Sequence, residues 1–173
     1  LRLQGAFGQS SPQLLFTNNL GQETFRLYAT SSSIFLGTGA GQSLTSASGG
    51  SHVFIGENAG LSNTDGEFST FIGYDAGRNN TTGYENVFVG VQSGLNNTTG
   101  GANTLLGAFT GSSLTTGTGN ILIGNGADVA SSTGSNQLNI GNWIYGQSGN
   151  IGIATTTPGH KFAVDGSAGF YTV

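Results

Sequence analysis

The chain has 173 residues, with 32 Gly, 2 Pro, no Cys, no Met and only 7% charged residues, enough for one domain with a sizeable core. Collagen is excluded because Gly does not recur at every third position, and disorder is disfavoured by regularly spaced aliphatic and aromatic triplets. With a net charge of −4 and only Arg2, Arg26, Arg78 and Lys161 as basic groups, no patch can neutralise phosphates, and no apolar run is long enough to span a membrane, so neither nucleic-acid binding nor membrane insertion is expected.

Residues 1–30 lack the periodicity that follows. Leu14-Leu15-Phe16 and Thr24-Phe25-Arg26-Leu27-Tyr28 predict two strands joined by a turn at Asn18-Asn19-Leu20-Gly21. This N-terminal β cap or docking segment is placed to cover an otherwise open stack edge. No signal-peptide pattern is visible, and a chain that begins at Leu1 is expected to be a fragment or a processed product. The absence of Cys says little about compartment, since a long hydrogen-bonded repeat does not need disulfides.

Residues 31–141 repeat. A Gly closes each apolar triplet at Gly37, Gly56, Gly73, Gly90, Gly107, Gly124 and Gly141; the first spacing is 19 residues and the next five are 17. A second Gly column holds Gly41, Gly60, Gly77, Gly94 and Gly111, and a third holds Gly66, Gly83, Gly100, Gly117 and Gly134. Seventeen residues with three glycines do not suit a helix–turn–helix unit. Triplets such as Val87-Phe88-Val89 and Ile121-Leu122-Ile123 favour strand. The expected fold is therefore all-β, a parallel β-solenoid (β-roll) of about seven 17-residue coils. Successive coils would stack at about 4.8 Å, with equivalent residues in ladders and only neighbouring coils in contact.

Alternation within a triplet puts its first and third residues on one face and the middle one on the other. With the flanking columns inside, Phe54, Phe71, Phe88, Leu105 and Leu122 form an outward apolar stripe. Each such side chain gains about 1.5–3 kcal/mol when buried, and a monomer rarely leaves so long a patch wet. Identical copies around a common axis are the simplest cover, which makes this stripe the expected subunit interface. The opposite orientation exposes two aliphatic columns in place of one.

Residues 142–173 carry Trp143, the only Trp, beside Ile144 and Tyr145, then two further strand-like runs. They read as a C-terminal β cap, or as a crossover leading to a stalk.

The repeats resemble the heads of trimeric autotransporter adhesins and the shafts of phage tail fibres. The matching units are Asn86-Val87-Phe88-Val89-Gly90, Asn103-Thr104-Leu105-Leu106-Gly107 and Asn120-Ile121-Leu122-Ile123-Gly124, within a match over residues 31–141. The resemblance implies a left-handed parallel roll in which three chains wrap one axis. Adhesin heads have shorter repeats, so the coil here is wider or carries a longer polar loop. The run Gly149-Asn150-Ile151-Gly152-Ile153-Ala154-Thr155-Thr156-Thr157-Pro158 through Lys161-Phe162-Ala163-Val164-Asp165-Gly166 is similar to a segment that follows roll repeats in fibre proteins. There it leads into a stalk or a C-terminal chaperone domain; Ala154 stands where Gly is usual. A chaperone domain, if one existed, is expected to have been cleaved or to lie beyond the chain that ends at Val173.

Catalysis needs a nucleophile, a base and an orienting group within reach. His52 sits in the column before the triplet that elsewhere holds Asn or Ser, and His160 follows Pro158-Gly159 in a turn, so no enzyme is expected. Asp65, Asp75, Asp128 and Asp165 fall at different repeat positions and do not ladder, so neither a metal nor another cofactor is expected. The polar arc does ladder, through Asn80, Thr81 and Thr82, Asn97, Thr98 and Thr99, and Thr115 and Thr116. These residues either satisfy their own backbone before a Gly corner or present a regular surface to a glycan, another protein or ice.

The expected function is that of a structural and adhesive segment of a homotrimeric extracellular fibre, on a cell surface or a virion, with a host-surface glycan or protein as target. The alternatives are a head-to-tail filament subunit and a ligand-binding solenoid that uses the Asn/Thr ladder.

Overall fold

The computed structural model describes residues 14–17, 23–29, 32–44 and 50–164. The strands are short because the sequence stops each one. From Gly37 to Gly124, the Gly that closes each triplet has φ between 125° and 137°, which a residue with a Cβ adopts only under strain. Strands β3 (Ile34–Leu36), β4 (Val53–Ile55), β5 (Thr70–Ile72), β6 (Val87–Val89), β7 (Thr104–Leu106), β8 (Ile121–Ile123) and β9 (Leu138–Ile140) therefore hold three residues each. They pair in parallel without a register slip, Phe54 on Phe71, Phe71 on Phe88 and Phe88 on Leu105. The fold is the expected all-β parallel solenoid, with no helix among the described residues. Seven strands bound six turns, one fewer than the coil count read from the glycines.

Antiparallel strands occupy both edges of this stack. Strands β1 (Leu14–Thr17) and β2 (Glu23–Ala29) pair through Leu14 and Leu27, and β2 lies on β3 with Ala29 opposite Ile34. The turn expected at Asn18–Gly21 lies outside the described residues. At the other edge, β10 (Ile144–Gln147) runs antiparallel to β9 and to β11 (Asn150–Ile153), and β12 (Phe162–Val164) runs parallel to β11. Ser148 and Gly149, with φ of 54° and 77°, form the two-residue loop between β10 and β11. Two left-handed residues in succession match the right-handed twist of the flanking strands.

The interior corrects the expected orientation. Phe54, Phe71, Phe88, Leu105 and Leu122 are completely buried within the single chain and form its core with Phe35, Leu114 and the alanines Ala40, Ala59, Ala76 and Ala127. They are not a surface stripe and leave nothing for a second subunit to touch. The physical reason is a match of lengths. Coil pitch is about 4.8 Å, and the ring centroids of Phe54 and Phe71 are 4.7 Å apart at an interplanar angle of 5°, those of Phe71 and Phe88 4.9 Å apart at 11°. One flat ring per turn fills the cross-section without a gap. The second Gly column makes room for it: a Cβ on Gly60 or Gly94 would lie 2.5 Å from the ring of Phe54 or Phe88.

Inward alternation also takes in the residue before each triplet, since it shares the face of the middle residue two places on. Ser33, His52, Ser69, Asn86, Asn103, Asn120 and Gln137 are all buried. Along this column each side chain accepts the backbone N–H of the next member. Ser33 takes that of His52, His52 Nδ1 that of Ser69, and Ser69 that of Asn86. Asn86, Asn103 and Asn120 continue the series up to Gln137 at 2.8–3.0 Å. The Asn amides also donate to the Gly carbonyls at the opposite corner, Asn86 to Gly100, Asn103 to Gly117 and Asn120 to Gly134. Backbone groups that a three-residue strand leaves unpaired are satisfied in this way, as burial requires.

Candidate functional site

With the middle column inside, the first and third residues of each triplet point outward. The observed register carries these two columns past the end of the repeat. One runs Ile34, Val53, Thr70, Val87, Thr104, Ile121 and Leu138, and the other Leu36, Ile55, Ile72, Val89, Leu106, Ile123 and Ile140. On β10, Gly146 and Ile144 stand opposite Leu138 and Ile140; Ile151 and Ile153 of β11 follow, then Phe162 and Val164 of β12. Directly paired residues share a sheet face, so one apolar face crosses ten strands, interrupted by Thr70, Thr104 and Gly146. It is roughly 45 Å long at the ordinary strand spacing. Ile121 is 45% exposed, Ile151 45% and Phe162 55%, and Tyr74 and Val91 extend the exposed apolar surface past the Gly corner.

The polar arc separates into layers. Asn80 and Asn97 are fully buried, which corrects their expected place on the surface. The Asn80 amide donates to the Gly83 carbonyl and that of Asn97 to the Gly100 carbonyl and to Asn80. An Asn three residues before a Gly corner turns inward because its amide closes the turn. Thr81, Thr98 and Thr115 are half-buried to exposed, and each hydroxyl donates to the carbonyl one turn on, those of Thr98, Thr115 and Ser132. Thr82, Thr99 and Thr116 alone of the expected ladder present free-standing exposed side chains.

The candidate titratable residues do not converge. Asp75 is buried, accepts from the Asn58 amide and lies 3.6 Å from the Arg78 guanidinium. Asp128 is held by the Ser112 hydroxyl and the backbone N–H groups of Ser113 and Val129, Asp65 and His160 are exposed, and Asp165 lies outside the described residues. Among the described residues, no three His, Cys, Asp or Glu side chains come together.

His52 is buried between the rings of Phe35 and Phe54, with centroids 6.4 and 4.9 Å away. Burial pushes its pKa below the ordinary value, against opposing effects of the Gly66 and Ser69 backbone and the Glu67 charge. The folded state therefore binds fewer protons here than the unfolded chain as pH falls below about 6.5, and stability declines over that range. A protonated Nδ1 also cannot accept the Ser69 N–H. Unfolding followed at successive pH values should show this loss in the wild type and lose it in His52→Asn, which keeps the acceptor used elsewhere in the column.

No known family model, no curated protein and no solved structure matches the chain.

Proposed function

We propose that the chain is a structural and adhesive segment of a homotrimeric extracellular fibre of the surface-adhesin or phage tail-fibre type, displaying its corners to a host-surface target. The observation that carries this reading is the outward aliphatic face. A single chain exposes Ile34, Leu106, Ile121, Ile123, Ile140 and Ile151 in two outward columns, of which only the one through Leu106, Ile123 and Ile140 is unbroken, and soluble proteins cover faces of this size. Another ladder with the same strand pitch matches it turn for turn, which favours a second and third copy of this chain as the cover. The threefold count is that of the fibre families the repeats resemble. The work is mechanical, with laddered backbone bonds providing stiffness and the polar corners providing solubility.

The antiparallel strands β2 and β10 lie on the two strand edges, an argument against a head-to-tail filament built by continuing the parallel stack. The ice- or glycan-binding ladder loses support because its Asn members point inward.

The test is the mass of the native particle in dilute solution, for the wild type and for Val89→Asp with Leu106→Asp. Both substitutions lie on the outward face and leave the Phe stack untouched, so the variant should remain folded. A three-chain wild type and a one-chain variant are expected; a wild-type monomer overturns the trimer.

A further inference from the structure

We propose that the cleft where the solenoid ends binds a neutral saccharide unit. The cleft, about 350 Å³, opens between the last corner at Asp128 and Ala130, the β9–β10 hairpin with Asn142, Tyr145 and Gln147, and Thr156. Its volume lies at the lower end of the range for small-molecule sites and suits one or two sugar rings.

The repeat itself creates unmet donors here. In earlier turns the N–H equivalent to that of Asp128 meets the next turn's carbonyl: Gly60 meets Ala76, Gly77 meets Ser93, Gly94 meets Thr110 and Gly111 meets Ala127. In the position of Ala130, Ser62 meets Arg78 and Asn79 meets Leu95, while Ser113, one turn before the end, meets the Asp128 carboxylate instead. No repeat turn follows the last corner, so among the described residues the N–H groups of Asp128 and Ala130 have no backbone carbonyl above them, and both residues line the cleft. Two such donors favour a ligand with outward acceptor oxygens.

The remaining lining selects against charge. Among the described residues Asp128 is its only carboxylic acid, and that carboxylate is already engaged by Ser112, Ser113 and Val129. Among the described residues, no Lys, Arg or His lines the cleft to hold a phosphate or a carboxylate. What is offered is the Gln147 amide, the Thr156 hydroxyl and the Tyr145 ring, whose phenol is anchored by donating to the Asn142 carbonyl at 2.8 Å. Neutral amide and hydroxyl groups beside an aromatic face suit a polyol with one polar rim and one C–H face. This inference deepens the adhesive reading and rests on it for its biological sense. The site is read chain by chain, so its failure is distinct from that of the trimer.

The experiment is a titration of the intact chain with glucose, galactose, N-acetylglucosamine and N-acetylgalactosamine, followed by the amide resonances of the protein. At least one sugar should give saturable shifts centred on Asp128, Ala130 and Tyr145, with a Kd on the order of millimolar. Gln147→Ala and Thr156→Ala, both on side chains outside the core, should each weaken that sugar by roughly fivefold. The proposal is overturned if none of the four sugars shifts these amides, if the shifts centre elsewhere, or if neither substitution weakens binding. Equal or tighter binding of a sialic acid overturns the neutral-ligand assignment.

Discussion

Phe88→Ala is expected to lower the free energy of unfolding by about 3–5 kcal/mol, measured by chemical denaturation against the wild type. Phe88 is completely buried, stacked on Phe71 at 4.9 Å and followed in the next turn by Leu105. Removing the ring leaves a hole across the cross-section of one turn, bounded by Gly94 on one side, and Gly has no side chain with which to refill it. Because each turn touches only its neighbours, the defect sits between two intact halves, and the unfolding transition should broaden as well as shift. Val87→Ala is the matched comparison: Val87 is only partly buried and faces outward, so it should cost a fraction as much within the chain and, in the proposed trimer, act mainly on association. A loss below about 1 kcal/mol for Phe88→Ala would place the ring outside the core and restore the stripe as a surface.

That comparison also shows what the sequence made legible. The Gly columns, the triplets and the 17-residue spacing are enough to give a parallel solenoid, because each is a local backbone requirement repeated in register. The direction of the triplet is not local. Phe88 between Val87 and Val89 satisfies alternation either way, and the choice rests on what faces the ring. Two signals were present: Gly94, six residues after Phe88, clears space for the ring, and Asn86, two residues before it, shares its face. The second signal misleads, since a buried Asn is expected only with partners, and those are carbonyls of the next turn that no single repeat reveals. The same holds for Asn80 and Asn97, whose inward amides close turns while Thr82 and Thr99 beside them remain outside. Corner geometry is harder still. Phe68, Glu85 and Ala102 adopt φ of 53–54°, a left-handed conformation imposed on ordinary residues by the turns above and below, and in that column only Gly119, with φ of 71°, marks it with a Gly. The cleft at the solenoid end arises from the meeting of the last corner with a hairpin, and no column of the repeat contains it.

Gly90→Ala should be the more damaging of two otherwise similar substitutions, and the comparison separates backbone strain from steric exclusion. Gly90 has φ of 134°, and a Cβ there would be driven into the Gly107 carbonyl of the next turn. Gly126 is also left-handed, with φ of 65°, but has nothing within 4 Å of the position a Cβ would take. Gly126→Ala therefore meets only the intrinsic penalty of about 1–2 kcal/mol. Gly90→Ala adds backbone against backbone, which cannot rotate away as a side chain would, and more than about 3 kcal/mol is expected in total. The same Gly-on-Gly contact recurs at Gly56 on Gly73 and Gly73 on Gly90, so relief at one turn means spreading the pitch. A spread pitch unstacks the Phe ladder inside and breaks the register of the aliphatic face outside. Denaturation midpoints for the two variants decide the matter. If Gly90→Ala costs no more than Gly126→Ala, the corners are not in contact and coil pitch is not what aligns the outward face.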